Sequence, residues 1–341
     1  MRHLVTGGSG FLGSLIAQYL LEQGESVRVL DVLDDPKRSK DIEFVKCDIL
    51  DRAGVAVSMK GIDVVHHNVA LVPLTKSAGR FWDVNVIGSE IAAEEAIRAG
   101  VSAFIHMSSS AIFGIPEHCP ITRETVPNPA EIYGRAKWEG ERRVTALCDA
   151  AKIPLIVIRP RTILGDHRLG IFKILFDWIN ENRNVYVIGS GDVKFQFVHA
   201  KDLMDAYMLA LKVQQPGAYN VGTNRFGTLR EVLEATIRHA GRSGKVVSLP
   251  ETLSINTLRA LDWLHLSPLA PWHYLTYHKA FHFDVSPTEA LGWTPKYSND
   301  EMFFEGYDWF IANRDQIVGA GGSVHKSAIK EGVLHLLRRL S

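Results

Sequence analysis

The amino-terminal segment constrains the fold more than any other part of the sequence. Residues Arg2 to Thr6 predict a short buried strand, and Phe11 to Gln23 predict a helix because their apolar side chains recur at helical spacing. The turn between them contains Gly7, Gly10 and Gly13. Glycine permits a tight turn and a close approach of the backbone to a phosphate, and the start of the helix offers free N–H groups to that anion. The segment therefore predicts a phosphate cradle between a strand and a helix.

A second predicted strand, Ser26 to Leu30, is followed by Asp31. An acidic side chain at this point accepts a hydrogen bond from the ribose 2′-hydroxyl of a dinucleotide and repels a 2′-phosphate. This favours NAD over NADP, although Arg38 is close enough in sequence to argue for NADP. The order strand, turn, helix, strand and Asp31 favours a dinucleotide site over a glycine turn that only packs a helix on a sheet.

A candidate proton-transfer site follows the predicted strand Val101 to Met107, which ends in Ser108-Ser109-Ser110. Ligands of parallel α/β sheets bind beyond the carboxyl ends of the strands, so these serines are well placed. Tyr133 and Lys137 are four residues apart and should share one face of the next helix. We expect the lysine ammonium to lower the pKa of the phenol. Together with the glycine turn, the serines and the Tyr/Lys pair predict hydride transfer. Without that turn, a Tyr/Lys pair at this spacing is more typical of a solvated helix face.

Strand and helix patterns alternate from Arg2 to about Pro160 and then change after Gly165. We predict an α/β fold, with a Rossmann-type doubly wound parallel sheet and a smaller, mostly α C-terminal substrate lobe. The predicted boundaries are a dinucleotide-binding domain of residues 1–165, joined by about 195–222, a substrate lobe of 166–194 and 223–315, and a flexible hinge plus amphipathic C-terminal helix of 316–341.

Composition excludes several classes of function. The 341 residues include 38 basic and 38 acidic side chains, so the formal charge is zero and nucleic acid is not an expected partner. Cys47, Cys119 and Cys148 are too few and too scattered for a disulfide framework or a metal cluster. The sequence begins with a strand and shows no signal peptide, and we expect a reduced, cytoplasmic location and no metal.

Two segments allow alternative interpretations. Leu253 to Phe283 is rich in leucines and aromatic residues, which suits either lobe core with a covering loop or an apolar lid for a lipid-like or steroid-like substrate. In the tail from Val324 to Ser341, apolar residues fall on one side of a predicted helix that also carries lysines and arginines. Such a helix docks on the parent lobe or a second subunit, or attaches to an anionic membrane surface.

The chain resembles the extended short-chain dehydrogenase/reductases, the NAD-dependent epimerase/dehydratase family, over roughly residues 2 to 312. The motifs that carry the resemblance are Thr6 to Gly13, Asp31, Cys47-Asp48-Ile49, His67-Asn68-Val69-Ala70, Asn85-Val86-Ile87-Gly88, Ser108 to Gly114, Tyr133 to Lys137, Arg159-Pro160, Phe197-Val198-His199 and Leu291-Gly292-Trp293.

The resemblance implies NAD as cofactor and a role for each matching position. Ser109 would be the catalytic serine, Tyr133 the acid and base, and Lys137 the residue that binds the nicotinamide ribose and tunes the tyrosine. Asn85 would support the active site from a helix. The implied cofactor-binding residues are Gly7, Gly10, Phe11, Leu12, Gly13, Asp31, Asp48, Ile49, Asn68, Val69, Ala70, Asn85, Tyr133, Lys137, Pro160 and Ile163.

Departures from the family pattern bear on the substrate. Thr162 and Phe195 stand where many nucleotide-sugar epimerases carry an asparagine and an arginine that contact phosphates, although Arg161, Lys194 and Arg225 could supply substitute charge. Ser110-Ala111 replaces the Asp-Glu pair that a dehydratase usually carries after its catalytic threonine. Dehydration is therefore disfavoured.

Three functions follow from these patterns. The first is NAD-dependent hydride transfer at a secondary alcohol or ketone, by a dehydrogenase or ketoreductase that acts on a small molecule. The alternatives are a nucleotide-sugar epimerase with tightly bound NAD and a non-catalytic regulator that senses NAD. The resemblance also implies a homodimer, for which the candidate residues are Ile91, Ala92, Ala96, Ile97, Trp138, Val144 and Leu147.

Overall fold

The computed structural model describes residues 1–72, 80–165, 168–264, 267, 269 and 271–319, and the burial of their side chains as far as residue 315. The strands are β1 (Arg2–Thr6), β2 (Ser26–Asp31), β3 (Glu43–Lys46), β4 (Val64–His67), β5 (Ala103–Met107), β6 (Leu155–Pro160), β7 (Thr162–Leu164), β8 (Val185–Ile188), β9 (Phe197–His199), β10 (Gly217–Val221) and β11 (Val246–Leu249).

A seven-stranded parallel sheet with the order β10-β6-β5-β4-β1-β2-β3 forms the centre of the molecule. The chain moves outward from β1 to β2 and β3 and then returns to β4 on the other side of β1. Strands β4, β5 and β6 are buried along their whole length, as expected for a sheet covered on both faces. The predicted doubly wound parallel sheet is confirmed, and the crevice at the strand-order reversal is where such folds bind ligands.

Helices cover the sheet and build the smaller C-terminal region. They are α1 (Phe11–Glu22), α2 (Arg52–Ser58), α3 (Arg80–Trp82), α4 (Gly88–Ala99), α5 (Ile132–Ala151), α6 (Phe172–Asn180), α7 (Ala200–Val213), α8 (Leu229–His239), α9 (Glu251–Trp263), α10 (Pro271–Thr276), α11 (Ser286–Glu289) and α12 (Asn299–Gly319). A π-helical segment, Asp83–Ile87, joins α3 to α4, and a 3₁₀ turn, Ser110–Phe113, follows β5.

A strand from the C-terminal half of the chain belongs to the central sheet. The segment of about 195–222, predicted to join the dinucleotide-binding domain, contains β10, which pairs in parallel with β6. Beyond the sheet, β7 pairs with β9 and β8 pairs with β11, and α6, α8 and α12 pack beside these short strands. An aromatic cluster fills this region, with the ring of Phe172 4.8 Å from that of Phe303 and 5.3 Å from that of Phe197.

The segment Leu253 to Phe283 contains both an exposed helix and core residues, and the apolar lid for a lipid-like or steroid-like substrate stays a prediction. Every residue of α9 is at least partly exposed, whereas Phe281 and Phe283 are core residues. Residues 265, 266, 268 and 270 of this segment lie outside the described residues. Of the hinge and C-terminal helix predicted for 316–341, residues 316–319 are the end of α12, and residues 320–341 lie outside the described part of the chain.

The apolar residues considered for a dimer face belong largely to the core of the single chain. Ile91, Ala92, Ala96 and Val144 are at most 5% exposed. They are therefore not available to a partner, and the homodimer stays a prediction. Within the described part of the chain, no helix has the length and apolar character needed to cross a membrane.

Candidate active site

A cleft of about 260 Å³ lies beyond the carboxyl ends of the central strands, between the glycine turn after β1 and the start of α5. This is the position expected for the ligand crevice of a doubly wound sheet. The cleft brings together most of the residues selected from the sequence. Those that line it are Gly7, Gly10, Phe11, Leu12, Gly13, Asn68, Ala70, Ser109, Tyr133, Lys137, Pro160 and Ile163.

The glycine turn has the geometry of a phosphate cradle. Gly7 adopts a φ of +68°, in the left-handed region that favours glycine. A Cβ on Gly13 would lie 2.0 Å from the carbonyl oxygen of Gly7, so the first turn of α1 could not pack as closely with any other residue. The N-terminus of α1 therefore opens onto the cleft with its backbone unobstructed, which fits the pyrophosphate of a dinucleotide.

Asp31 is the last residue of β2 and lies outside the lining of the cleft. Its carboxylate accepts hydrogen bonds from the N–H of Ser9 at 3.1 Å and of Val32 at 2.7 Å. Arg38 is engaged elsewhere, since its guanidinium donates to Asp34 at 2.8 and 3.0 Å and lies over the ring of Phe44. The residue that argued for NADP is thus paired with another carboxylate.

Tyr133 is held at the start of α5 by its backbone. Glu131 caps the helix and accepts hydrogen bonds from the N–H groups of Tyr133 at 2.7 Å and Gly134 at 2.6 Å. The hydroxyl of Ser109 accepts from the N–H of Ala111 at 3.1 Å and is close enough to the phenol of Tyr133 to lower its pKa. Ser109 and Tyr133, which come from different elements, therefore lie close together in the cleft.

The pKa of Tyr133 differs from the expectation drawn from sequence. Burial raises the pKa of this phenol above its ordinary value; the Ser109 hydrogen bond and the charge of Arg168 act in the lowering direction, and Glu131 adds to the increase. The expected lowering by Lys137 is not found, because the cost of burying a phenolate dominates. The Lys137 ammonium instead donates to the carbonyl oxygen of Met107 at 2.6 Å.

A buried ionic network lies behind Lys137. Burial lowers the pKa of Lys137 to about 8, and the negative charge of Glu141 opposes that decrease. Glu141 accepts from Ser108 Oγ at 2.5 Å and from Arg159 Nε at 3.2 Å. Glu141 was not selected from the sequence, although its position four residues after Lys137 on one helix face was the available signal.

Several predicted cofactor residues lie outside the lining of the cleft. The Asp48 carboxylate faces Arg80 at 3.2 Å, and Ile49 is buried against Gly88. Val69 lies behind the glycine turn, since a Cβ on Gly7 would come within 2.9 Å of its backbone nitrogen. Asn85, in the π-helical segment, exchanges two hydrogen bonds with the backbone of Leu71, at 2.9 and 3.1 Å, and so fixes the segment after β4.

The cleft also contains residues that sequence reasoning missed. Arg168 lines it with its guanidinium 4.9 Å from the ring of Phe11, close enough to Tyr133 to favour the phenolate. Trp272, His273 and Tyr277, from α10 and the residue after it, form the opposite wall. No pattern distinguished Arg168, because it comes near Tyr133 only in the folded chain.

The charge of the cleft is one-sided. Lys137, Arg161 and Arg168 contribute to the lining, and none of its described residues is an aspartate or glutamate. Of the other cations considered from sequence, Lys194 is exposed and Arg225 pairs with Glu301 at 3.0 Å. The arrangement can bind anions and hold a proton donor beside them. Among the described residues, no group of histidines, cysteines or carboxylates could hold a metal ion.

Comparison with known proteins gives consistent matches. A sequence model described as the NAD dependent epimerase/dehydratase family matches residues 3–222. The uncharacterized protein y4nG of Sinorhizobium fredii is 43% identical over 98% of this chain and 85% of its own length. A UDP-glucose 4-epimerase of Mycolicibacterium smegmatis is 29% identical over 91% of this chain and 98% of its own.

Among solved structures, a UDP-glucose 4-epimerase from Thermotoga maritima, with UDP-glucose, superimposes with a TM-score of 0.74. It is 25% identical in sequence, and the match covers 92% of this chain and 100% of that one.

Proposed function

This chain belongs to the NAD dependent epimerase/dehydratase family, and we propose that it transfers a hydride at a secondary alcohol or ketone with Ser109, Tyr133 and Lys137 as its catalytic residues. The family membership confirms the predictions of an NAD-dependent enzyme and of NAD as cofactor. It gives no support to a regulator that does not catalyse a reaction.

The proposed chemistry divides simply between cofactor and protein. Bound NAD supplies the hydride acceptor at its nicotinamide ring. Tyr133, as phenolate, takes the proton of the substrate hydroxyl while the carbon–hydrogen bond breaks, and returns it in the reverse direction. Ser109 donates to the same substrate oxygen and fixes its position. Lys137 binds the nicotinamide ribose, and the charge of Arg168 favours the phenolate of Tyr133.

The observation that carries this proposal is that Ser109, Tyr133 and Lys137 line one cleft with the glycine turn, with Ser109 close enough to the phenol of Tyr133 to shift its pKa. A serine and a tyrosine that lie this close can both reach one substrate oxygen. The glycine turn and Lys137 in the same cleft would bring a nicotinamide to that oxygen. The remaining cofactor assignments, Asp48, Ile49, Val69 and Asn85, are part of the same proposal as residues that flank or support the dinucleotide.

Epimerisation of a nucleotide sugar is the second candidate, and the cationic lining of the cleft favours it. A diphosphate would be attracted to a cleft whose described residues include cations and no carboxylates. The relatives at 25% and 29% identity are epimerases of UDP-glucose. The same three residues would then act twice in one turnover, without net oxidation. Dehydration lacks its acid and base, because Ser110 and Ala111 follow Ser109.

The experiment that tests the proposal measures turnover and redox change together. The NAD-loaded protein is incubated with UDP-glucose, UDP-glucuronate and a set of apolar secondary alcohols, with NADH followed by absorbance and products by NMR. NADH accumulation identifies a dehydrogenase, whereas a new sugar epimer without NADH identifies an epimerase.

In either case we expect Tyr133→Phe to lower the rate roughly 100- to 10,000-fold, because it removes the proton-transferring hydroxyl. Tyr186→Phe, in β8 away from the cleft, is the matched control and should leave the rate unchanged. A Tyr133→Phe protein with the activity of the wild type would refute the assignment of the acid and base.

A further inference from the structure

Arg161 is a buried arginine to which the structure gives no ion pair with a described carboxylate. Resting on the hydride transfer proposed above, we propose that Arg161, with Ser110 beside it, binds an oxyanion of the substrate, either a phosphate or a carboxylate, next to the reacting carbon. Ser109, Tyr133 and Lys137 keep the catalytic roles proposed for them above.

The guanidinium of Arg161 is buried among neutral groups. The residue is 1% exposed. Its Nε donates to the carbonyl oxygen of Gln196 at 3.0 Å, and its Nη1 donates to Ser110 Oγ at 3.1 Å. Its Nη2 has no hydrogen-bond partner among the residues that the structure describes. The Nη2 group of the guanidinium therefore lacks an acceptor that a bound ligand could supply.

Aromatic rings surround the charge without neutralising it. The guanidinium carbon lies 3.9 Å from the centre of the Phe281 ring and 4.8 Å from that of Phe195. Cation–π contacts return only part of what a guanidinium loses when it leaves water. The incomplete compensation is visible in the pKa of Arg161, which burial lowers to about 9.

The other buried arginines of the described chain have carboxylate partners. Arg159 pairs with Glu141, and Arg28 pairs with Glu43 at 2.9 Å. Arg161 is more deeply buried than either, and the structure gives it no ion pair with a described carboxylate. A buried cation is ordinarily paired, so the missing partner of Arg161 is expected to arrive with a ligand.

The hydrogen bonding of Ser110 and its place in the cleft indicate where that ligand binds. Arginine has no acceptor, so the hydroxyl of Ser110 accepts from Arg161 and keeps its own proton for another oxygen. Both residues line the cleft, and Ser110 follows Ser109 directly. An oxyanion bound by this pair would thus lie close to the oxygen that Ser109 and Tyr133 share, which suits a substrate whose anionic group is near its reacting carbinol.

The test is a binding measurement on the NAD-saturated protein, so that added anions cannot occupy the glycine turn. Isothermal titration with UDP, inorganic pyrophosphate and glucuronate separates phosphate from carboxylate ligands. We expect at least one of them to bind the wild type, and Arg161→Met to weaken its Kd roughly 10- to 100-fold, the value of a charge-assisted hydrogen bond. Arg225→Met, which removes an exposed arginine paired with Glu301, is the matched control and should bind like the wild type.

Each remaining outcome decides the proposal. An unchanged Kd in Arg161→Met, or a wild type that binds none of the three anions, overturns it. If Arg161→Met does not fold, the same titration of Ser110→Ala takes its place, where a weaker Kd supports the proposal and an unchanged one overturns it. Tyr133→Phe should lose turnover but keep anion binding, so failure of the proposed chemistry and failure of the anion site give different results.

Discussion

Lys137 and Glu141 lie one helical turn apart on the buried face of α5, and the carboxylate opposes the decrease that burial causes in the pKa of the ammonium. The same carboxylate is bound by Ser108 and Arg159. Because Lys137 donates to the carbonyl of Met107 at the end of β5, this network ties α5 to the strand that the serines follow.

The first prediction concerns the pH dependence that follows from this pair. In the proposed function Lys137 binds the nicotinamide ribose as an ammonium, and its pKa is about 8. The rate should therefore fall above about pH 8 in the wild type. Glu141→Gln removes the charge that raises the pKa of Lys137, so the decline should begin at a lower pH. Measurement of kcat against pH for the two proteins checks the direction.

Glu139→Gln is the control, because Glu139 pairs with Arg142 and Arg143 on the outer side of the same helix. It should keep the pH profile of the wild type. A Glu141→Gln profile that also stays unchanged would mean that Lys137 is not the titrating group. Glu141→Gln should in addition lower the free energy of unfolding by about 3–5 kcal/mol, since it leaves the buried Arg159 unpaired.

The second prediction is a change of cofactor preference at Asp31. The carboxylate is oriented by the N–H groups of Ser9 and Val32, and it would repel a 2′-phosphate. Asp31→Asn keeps the size of the side chain and removes the charge. The ratio of the Kd for NADPH to the Kd for NADH, measured by the fluorescence of the bound cofactors, should fall roughly tenfold. Asp41→Asn, at an exposed residue, should leave the ratio as it is.

The third prediction tests whether the glycine turn is needed for space or only for conformation. A Cβ on Gly13 would collide with the Gly7 carbonyl, whereas Gly24, at a φ of +79°, has nothing within 4 Å of its Cβ position. Both Gly13→Ala and Gly24→Ala should lower stability, the second by about 1–2 kcal/mol for its left-handed backbone. Only Gly13→Ala should lose NAD binding in a fluorescence titration. Equal NAD affinities in the two variants would argue against the cradle.

Sequence was sufficient wherever local periodicity decides the structure. The helix predicted for Phe11 to Gln23 is α1, and the strand predicted for Arg2 to Thr6 is β1. Element ends were less accurate, since the strand predicted from Val101 begins at Ala103. Repeating apolar positions are readable from neighbours along the chain, whereas the last residues of an element depend on what they pack against.

The electrostatics of the site could not be read in the same way. The guanidinium of Arg161 lies against Phe281, a residue far along the chain, and nothing near Arg161 in sequence indicates that contact. The pKa of Tyr133 was expected to be lowered because a lysine follows it by four residues, but burial, a property of the whole fold, sets the direction. Residue types and their spacing identified the candidate site residues, whereas the pKa values of those residues depend on packing in three dimensions.

A layer of buried histidines crosses the centre of the sheet and gives the fourth prediction. His3 is hydrogen-bonded to His66 at 2.9 Å, and His67 to Thr6 at 2.9 Å. His106 is 1% exposed, and neither of its ring nitrogens has a hydrogen-bond partner among the described residues. A buried polar group without a partner costs about 1–3 kcal/mol, so we expect His106→Leu to raise the free energy of unfolding at neutral pH by an amount of that order.

The stability advantage of His106→Leu should be larger at acidic pH, because the pKa of the His106 ring differs between the folded and the unfolded chain. Burial and the neighbouring charge of Lys137 hold the pKa of His106 well below 6.5, so the ring stays neutral in the folded protein. In the unfolded chain it takes up a proton as the pH falls below about 6.5, which favours unfolding. Urea denaturation at pH 7.5 and 5.5 should therefore show a larger advantage for His106→Leu at the lower pH, while His118→Leu, at an exposed histidine, shows no such trend. A variant less stable than the wild type at both values would mean instead that the stacking of His106 on His67, with ring centres 5.6 Å apart, outweighs the unsatisfied nitrogens.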